Sequence, residues 1–408
     1  MNEDKLLLQK QTNEENFPIK TWQTSKYHKA LGKNYTNDLY GLALRKGNCI
    51  FLTGSCPTPT PQVVYNELHK TFMQNNKFCS YNTGEPALKF AISKYAEEHN
   101  ENIGRPSKNV LITLGATTFL QQLFLYILDE DSECIVITPT FQDYFNQLRF
   151  TRCSIVEVSM CEKENEWTLN VDDVDKVITE KTKCILLCSP NNPTGKIYSE
   201  QELTQLANIA KKHNIFLVAD EAYNFLSYGK KYTSLLSLND VGDNIIVART
   251  FSKEFSMCGW RVGYAYVPSI IYDDLFHLQL SFNSVAATIS QKAAEISLLA
   301  SEIKPFIKEE IVRIKQNRDY VMSIIDRIGK GLSYIVPEAC PYLFVKYNKN
   351  IDSYDLCKDI IDKSSVIVSP GIGNGQGGEG HFCITFGDDI CVVTEGMKRL
   401  ESYFNLYY

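Results

Sequence analysis

The sequence predicts an α/β protein, with a mostly parallel wound sheet in a large domain and a smaller α+β domain after it. Two features of the middle of the chain and one near its end carry this expectation. From about residue 85 to residue 268, short β-branched runs alternate with helical patterns, as expected of parallel strands buried on both faces by their connecting helices. Polar residues recur just past the ends of those runs, where an open parallel sheet gathers its ligands. After Pro268 the texture changes to a long helical tract and then to shorter strands.

The elements follow in order. "EPALKFAISKYAEEH" has apolar residues at helical spacing, and "NVLITLG" reads as a buried strand running into a glycine. "TTFLQQLFLYIL" is helical, and "ECIVITP" is a strand ended by proline. "KCILLCSP", "IFLVAD" and "NIIVAR" repeat the strand theme, with helical "SEQELTQLANIAKKHN" between the first two of them. A helical tract from about 285 to 330 carries charge at i, i+4 spacing, and "SYIVP", "YLFVKY", "SVIVSP" and "HFCITF" read as strands beyond it. The expected division is residues 1–70 as an N-terminal arm with part of the small domain, 71–300 as the large domain, and 301–408 as the C-terminal small domain.

Composition narrows the function classes. At 408 residues the chain can bury a large core, and its 44% hydrophobic and 22% charged content is ordinary for a globular protein. A formal net charge of −6, without a basic run interleaved with aromatics, argues against a nucleic-acid partner. Thirteen scattered cysteines without CxxC pairing suggest neither a disulfide framework nor a zinc site and fit a reducing cytoplasm. The polar N-terminus lacks a signal-peptide core, and "FLQQLFLYIL" is too short and polar to span a membrane. The six histidines show no metal-ligand spacing.

The chemistry-bearing residues sit at strand ends. Gly115 ends one strand, Asn192 follows another, Asp220 closes a third, and Lys253 comes just after a fourth. In "RTFSKEFSMCGWRVGY" Lys253 lies between the hydroxyls of Thr250 and Ser252 and, eight residues on, the guanidinium of Arg261. An amine beside hydroxyls and a guanidinium suits a cofactor that carries both an aldehyde and a phosphate.

"SPNNPTGKIYS", "VADEAYNFLSYG" and "TFSKEFSMCGWRVGY", in this order and spacing, resemble the pyridoxal-phosphate-dependent aminotransferases of fold type I, class I/II. The likeness runs from about "LTGSCPTPTP" to the C-terminus. It implies pyridoxal 5′-phosphate as cofactor, with Lys253 forming the Schiff base and shuttling the proton at the substrate Cα. It implies Asp220 at the pyridine nitrogen, Tyr223 and Asn192 at the phenolic oxygen, and Phe141 stacked on the ring. The phosphate would rest on Gly115, Ala116 and Thr117 at a helix N-terminus, with Thr250, Ser252 and Arg261. Tyr81 resembles the tyrosine that reaches the phosphate of the neighbouring subunit, which implies a homodimer with shared active sites. The implied partners are a small-molecule amino donor and a carbonyl acceptor.

Two features stand apart. "GIGNGQGG" spells GxGxxG, but the strand-like "HFCITF" follows it where a dinucleotide fingerprint would open a helix, so it reads as a loop or hairpin. In "GGEGHFCITFG", Cys383 falls where the family carries the arginine that pairs with the substrate α-carboxylate, and a thiol offers no guanidinium fork. Gly54 resembles a backbone position that also approaches this carboxylate, and Asn192 would face the substrate too. Three explanations fit Cys383: another cation such as Arg45, Arg149 or Arg152 takes over, the substrate has no carboxylate there, or the chain has left transamination. The expected function is an aminotransferase. The alternatives are a pyridoxal-phosphate lyase, cyclase or oxidase of specialised metabolism and a non-catalytic cofactor-binding protein.

Overall fold

The computed structural model describes residues 31–54, 58–74, 81–239 and 243–408. The expectations for residues 1–30 lie outside the described residues. The central element is a seven-stranded sheet of β1 (Val110–Thr113), β2 (Glu133–Thr138), β3 (Ser154–Ser159), β4 (Thr182–Cys188), β5 (Phe216–Asp220), β6 (Ile245–Thr250) and β7 (Gly263–Tyr266), in the order β1-β7-β6-β5-β4-β2-β3. All neighbours are parallel except β7, which runs antiparallel to both β1 and β6. The connection from β6 to β7 holds only a four-residue helix (Phe251–Glu254) and a three-residue turn (Cys258–Trp260). It lacks the full crossover helix that a parallel return usually needs.

Side chains alternate between the two faces of this sheet, as period two requires. Ile185, Leu187, Leu217 and Ala219 join one core cluster; Cys184, Leu186, Cys188 and Val218 join the other. Helices cover both faces, so the strands are apolar throughout. The expected helical tract of 285 to 330 is two helices, Thr288–Leu299 and Ile303–Ile328. Pro305 lies in the first turn of the second, where its missing N–H costs nothing, and a helix running through it from before would lose a bond and clash.

A second sheet has four strands, β8 (Ser333–Tyr334), β9 (Tyr342–Lys346), β10 (Ser369–Pro370) and β11 (His381–Thr385), in the order β8-β9-β11-β10, all antiparallel. Its two faces do different things. Leu343, Val345, Phe382 and Ile384 pack into a separate core with helices Ile303–Ile328, Ser353–Ser364 and Ile390–Tyr407 and with Leu39 and Ala43 of helix Tyr35–Lys46. Tyr342, Phe344 and Cys383 belong instead to the core of the large sheet. The glycine-rich segment is a short turn, Gly371–Asn374, followed by β11 and not by a helix.

Candidate active site

The carboxyl ends of the parallel strands lie along one edge. β7, although antiparallel, starts at that same edge, because Gly263 is paired with Thr113 on one side and Thr250 on the other. A Cβ on Gly263 would lie 2.8 Å from Cα of Gly115 and 2.5 Å from the Arg249 carbonyl oxygen, so only glycine lets the three segments approach. Arg261, two residues before Gly263, is thereby carried over the end of β1.

This approach builds a cradle. Gly115 has φ of +95° and precedes helix Ala116–Ile127, whose first N–H groups have no partner within the helix. From the point where a Cβ on Gly115 would sit, Arg261 Nη2 is 3.5 Å away and Thr250 Oγ1 3.7 Å. Thr250 Oγ1 donates to Ser252 Oγ at 2.8 Å and accepts from the Ser252 N–H at 3.1 Å, capping the short helix that carries Lys253. Arg261 is exposed and donates to the carbonyls of Cys258 and Leu114. Ala116 is buried and Thr117 exposed on the first turn. Two hydroxyls, a guanidinium and a helix N-terminus converge here, and together they suit a phosphate.

Next to the cradle, Lys253 Nζ lies 6.0 Å from the centroid of the Tyr223 ring. Asp220, at the end of β5, accepts from the Tyr144 hydroxyl at 2.7 Å and from the Ala222 N–H at 3.1 Å. Burial pushes its carboxyl up to about 6, against the pull of those two donors and of the Lys253 charge. A cation placed at Asp220 would reverse that shift. Tyr223 is buried and its hydroxyl bonds to that of Tyr342 from β9. Asn192 is half-buried after β4, and half-buried Phe141 meets Tyr144 edge to face, with centroids 5.4 Å apart.

The remaining predicted residues are more peripheral. Gly54, with φ of +72°, is exposed on the segment after Leu52, whose carbonyl accepts from the Thr385 N–H. Thr53 beside it shares a hydroxyl–hydroxyl bond of 2.5 Å with Ser369, and Ser369 is the register partner of Cys383. Cys383 is buried, and burial pushes its thiol well above the ordinary range. Tyr81 is 59% exposed on the turn before helix Pro86–Glu98, where its carbonyl accepts from the Gly84 N–H. The arginines considered as substitutes lie elsewhere. Arg152 pairs with Glu130 at the opposite end of β2, Arg45 is exposed, and Arg149 sits over Phe145 beside Asn34 and Asn146.

A family model for aminotransferases of class I and II matches residues 42–396. The chain belongs to the class I and II aminotransferases. It is 30% identical over 324 residues to an aspartate aminotransferase of Pyrococcus abyssi, covering 79% of this chain and 82% of that one. It is 29% identical over 358 residues to a probable aspartate/prephenate aminotransferase of Aquifex aeolicus, covering 86% and 90%. Among solved structures, the aspartate aminotransferase of Thermotoga maritima superposes with a TM-score of 0.84 at 28% identity, covering 94% of this chain and all of that one. The fold is therefore fold type I, and the protein is an enzyme of the transferase class whose family depends on pyridoxal 5′-phosphate. The cradle at Gly115 and the desolvated carboxyl of Asp220 fit that group: one offers room and donors for a phosphate, the other a site for a cationic nitrogen. Among the described residues, no helix of this aminotransferase is long and apolar enough to cross a membrane.

Sequence reasoning missed Tyr144, Tyr342 and Glu254. Glu254 follows Lys253 in the chain but points away, accepting from the Tyr95 hydroxyl at 3.0 and 3.1 Å, and Asn224 donates to that same hydroxyl at 3.0 Å. These bonds tie the Lys253 helix to the loop of Tyr223 from behind. They border a cavity of about 760 Å³. Burial raises the Glu254 carboxyl to about 7. Between the unfolded value near 4.5 and that folded value, the unfolded chain loses its proton first, so this group lowers stability as pH rises through the window. Glu254→Gln removes the titration. The variant's stability relative to wild type, from urea unfolding of the cofactor-free protein, is expected to improve steadily from pH 4.5 to 7.5; a pH-independent difference would show that Glu254 ionises normally.

Proposed function

We propose that this enzyme transfers an amino group from an amine or amino acid to a carbonyl acceptor, using Lys253 to hold the cofactor as a Schiff base. The observation that carries the reading is the convergence of Lys253, Asp220 and Tyr223 at adjoining strand ends beside the Gly115, Thr250, Ser252 and Arg261 cradle. When bound, pyridoxal 5′-phosphate supplies an aldehyde and a ring that withdraws electrons from the substrate Cα. The residues of the chain do the rest. Arg261, Thr250, Ser252 and the N–H groups after Gly115 anchor the phosphate, with Ala116 and Thr117 on that first turn. Asp220, ionised against a cation, holds the ring nitrogen's proton. Tyr223 and Asn192 would hydrogen-bond the cofactor's phenolic oxygen, and Phe141 would pack against its ring.

With the cofactor bound and its own amine set free by a substrate amine, Lys253 would act at the substrate Cα, as a general base and then as a general acid. The same steps run backwards with the carbonyl acceptor, giving ping-pong kinetics. By the resemblance, Cys383 stands where the family carries the carboxylate-pairing arginine, and on this reading the carboxylate site is altered. We further infer a homodimer in which Tyr81 of each protomer reaches the other's phosphate. Eleven free cysteines among the described residues suit a reducing cytoplasm.

The visible absorption spectrum of the cofactor-loaded protein tests this. Amines and amino acids are added first, and keto acids afterwards. The expected result is a cofactor band that an amino donor bleaches to an aminated form and a keto acid restores. A donor consumed without transfer of its nitrogen to the keto acid would instead place the enzyme among the lyases, cyclases or oxidases.

A further inference from the structure

The end of the small sheet that meets the site, at Tyr342 and Cys383, carries no charged side chain, and we propose that it selects substrates whose group on that side is neutral: primary amines or α-amino amides, not α-amino carboxylates. This rests on the aminotransferase reading and specifies its donor.

The first argument is orientation. On β11 the side chains alternate, and Cys383 falls on the same face as Tyr342 and Phe344, its register partner being Phe344. That face packs with the large sheet, whereas Phe382 and Ile384 turn into the small domain's own core. Tyr342 reaches Tyr223, so this face meets the crevice that holds Asp220 and Lys253. Cys383 is next to Ser369 in register, and Ser369 reaches Thr53 beside Gly54. At this end of the face the wall is therefore a thiol, two hydroxyls already bonded to each other, and a phenol bonded to another phenol; at the other end of the same face His381 and Lys346 are both paired with Glu162.

The second argument is charge. Burial comes first among the causes that raise Cys340, Tyr342 and Cys383, so the two thiols and the phenol stay neutral, and the Asp220 charge adds to the rise at Cys340. The Lys253 charge reaches Asp220 and lowers its carboxyl. Arg261 belongs to the phosphate cradle, and Arg249 is held by Glu101 and Glu221. A carboxylate set against this wall would leave water for a neutral surface next to the Asp220 carboxyl, which is costly without a paired cation. A carboxamide, ester or alkyl group in the same place carries no such cost, and an amide can exchange hydrogen bonds with the Thr53 and Ser369 hydroxyls.

The experiment is a spectral titration of the cofactor-loaded wild-type protein with L-phenylalanine, L-phenylalaninamide and 2-phenylethylamine, each corrected for its fraction of free amine. The expected result is an apparent Kd at least tenfold lower for the amide or the amine than for the amino acid. In Cys383→Arg the order should reverse, with phenylalanine gaining at least tenfold while the cofactor band stays unchanged. Tighter binding of phenylalanine by the wild type overturns the proposal, whether its carboxylate is met by a residue of this chain or by a second copy. The arginine variant serves as a corroborating arm, since the wild-type comparison stands without it. Loss of the aminotransferase reading has a different signature: no cofactor band in the wild type, or a band that none of the three probes alters.

Discussion

Replacing Lys253 by alanine is expected to lower turnover by at least about four orders of magnitude, because one amine serves as covalent anchor and as the acid–base group at the reacting carbon. The fold should survive. Lys253 is half-buried at the surface of the crevice, and the bonds that cap its helix come from Thr250 and Ser252, not from its side chain. The proposed anchors of the phosphate are also independent of it, so the variant should still bind cofactor, reversibly. Borohydride reduction separates the two roles. Wild type should gain a stable adduct mapping to the peptide that contains Lys253; Lys253→Ala should gain none. An adduct on another lysine, or activity within a hundredfold of wild type, would refute the assignment. Lys253→Arg is the useful companion: it keeps charge and length but supplies no nucleophilic amine at neutral pH, so it should be as inactive as alanine.

The residues proposed to hold the cofactor could be picked out in the sequence because the chemistry they would perform is local. A strand ends, and within four residues comes the side chain that matters: Asp220 at the end of β5, Lys253 just past β6, Asn192 just past β4. Each of those ends is marked by an apolar run that stops, which periodicity detects. The antiparallel return of β7 was not legible, because "VGYAY" offers no cue of direction. Direction follows from what the connection lacks, and the register that sets Gly263 against Thr113 and Thr250 is a property of the closed sheet. The break at residues 300–302 was legible in principle through Pro305, which the run of helix-forming residues around it obscures.

Tyr144 and Tyr342 show the harder limit. Tyr144 is 76 positions from Asp220, and Tyr342 is 119 from Tyr223. In sequence both look like ordinary core aromatics, and both are in fact buried. Their hydroxyls acquire meaning only through the partner that tertiary packing supplies. Glu254 is the same case reversed: its neighbour in sequence is Lys253, but the short helix sends its carboxylate the other way, into Tyr95. Proximity along the chain suggested one environment where the structure has two.

Arg249 carries the largest expected effect on stability. It sits on β6 one residue before Thr250, with its side chain only 3% exposed, and bridges two buried carboxylates, Glu101 and Glu221, through Nη2 at 2.6 and 2.7 Å. Nη2 also donates to Ser234, Nη1 donates to Glu101 and Tyr264, and Nε donates to Glu221; Ser234 and the Leu235 N–H donate to Glu221 as well. Truncating the guanidinium leaves two desolvated carboxylates facing one another, and breaking a buried pair in this way costs about 3–5 kcal/mol. Arg249→Leu should therefore lower the unfolding free energy by that amount in urea titration, and Arg249→Lys by less, since a single ammonium cannot fork across both acids. The site should suffer as well. Glu221 adjoins Asp220, and Arg249 adjoins the Thr250 hydroxyl that caps the Lys253 helix, so cofactor affinity should fall together with stability in both variants. Glu101→Gln separates the causes: it removes one acid, leaves the Arg249–Glu221 pair intact, and should cost markedly less than Arg249→Leu. A leucine variant within about 1 kcal/mol of wild type would refute this account of Arg249.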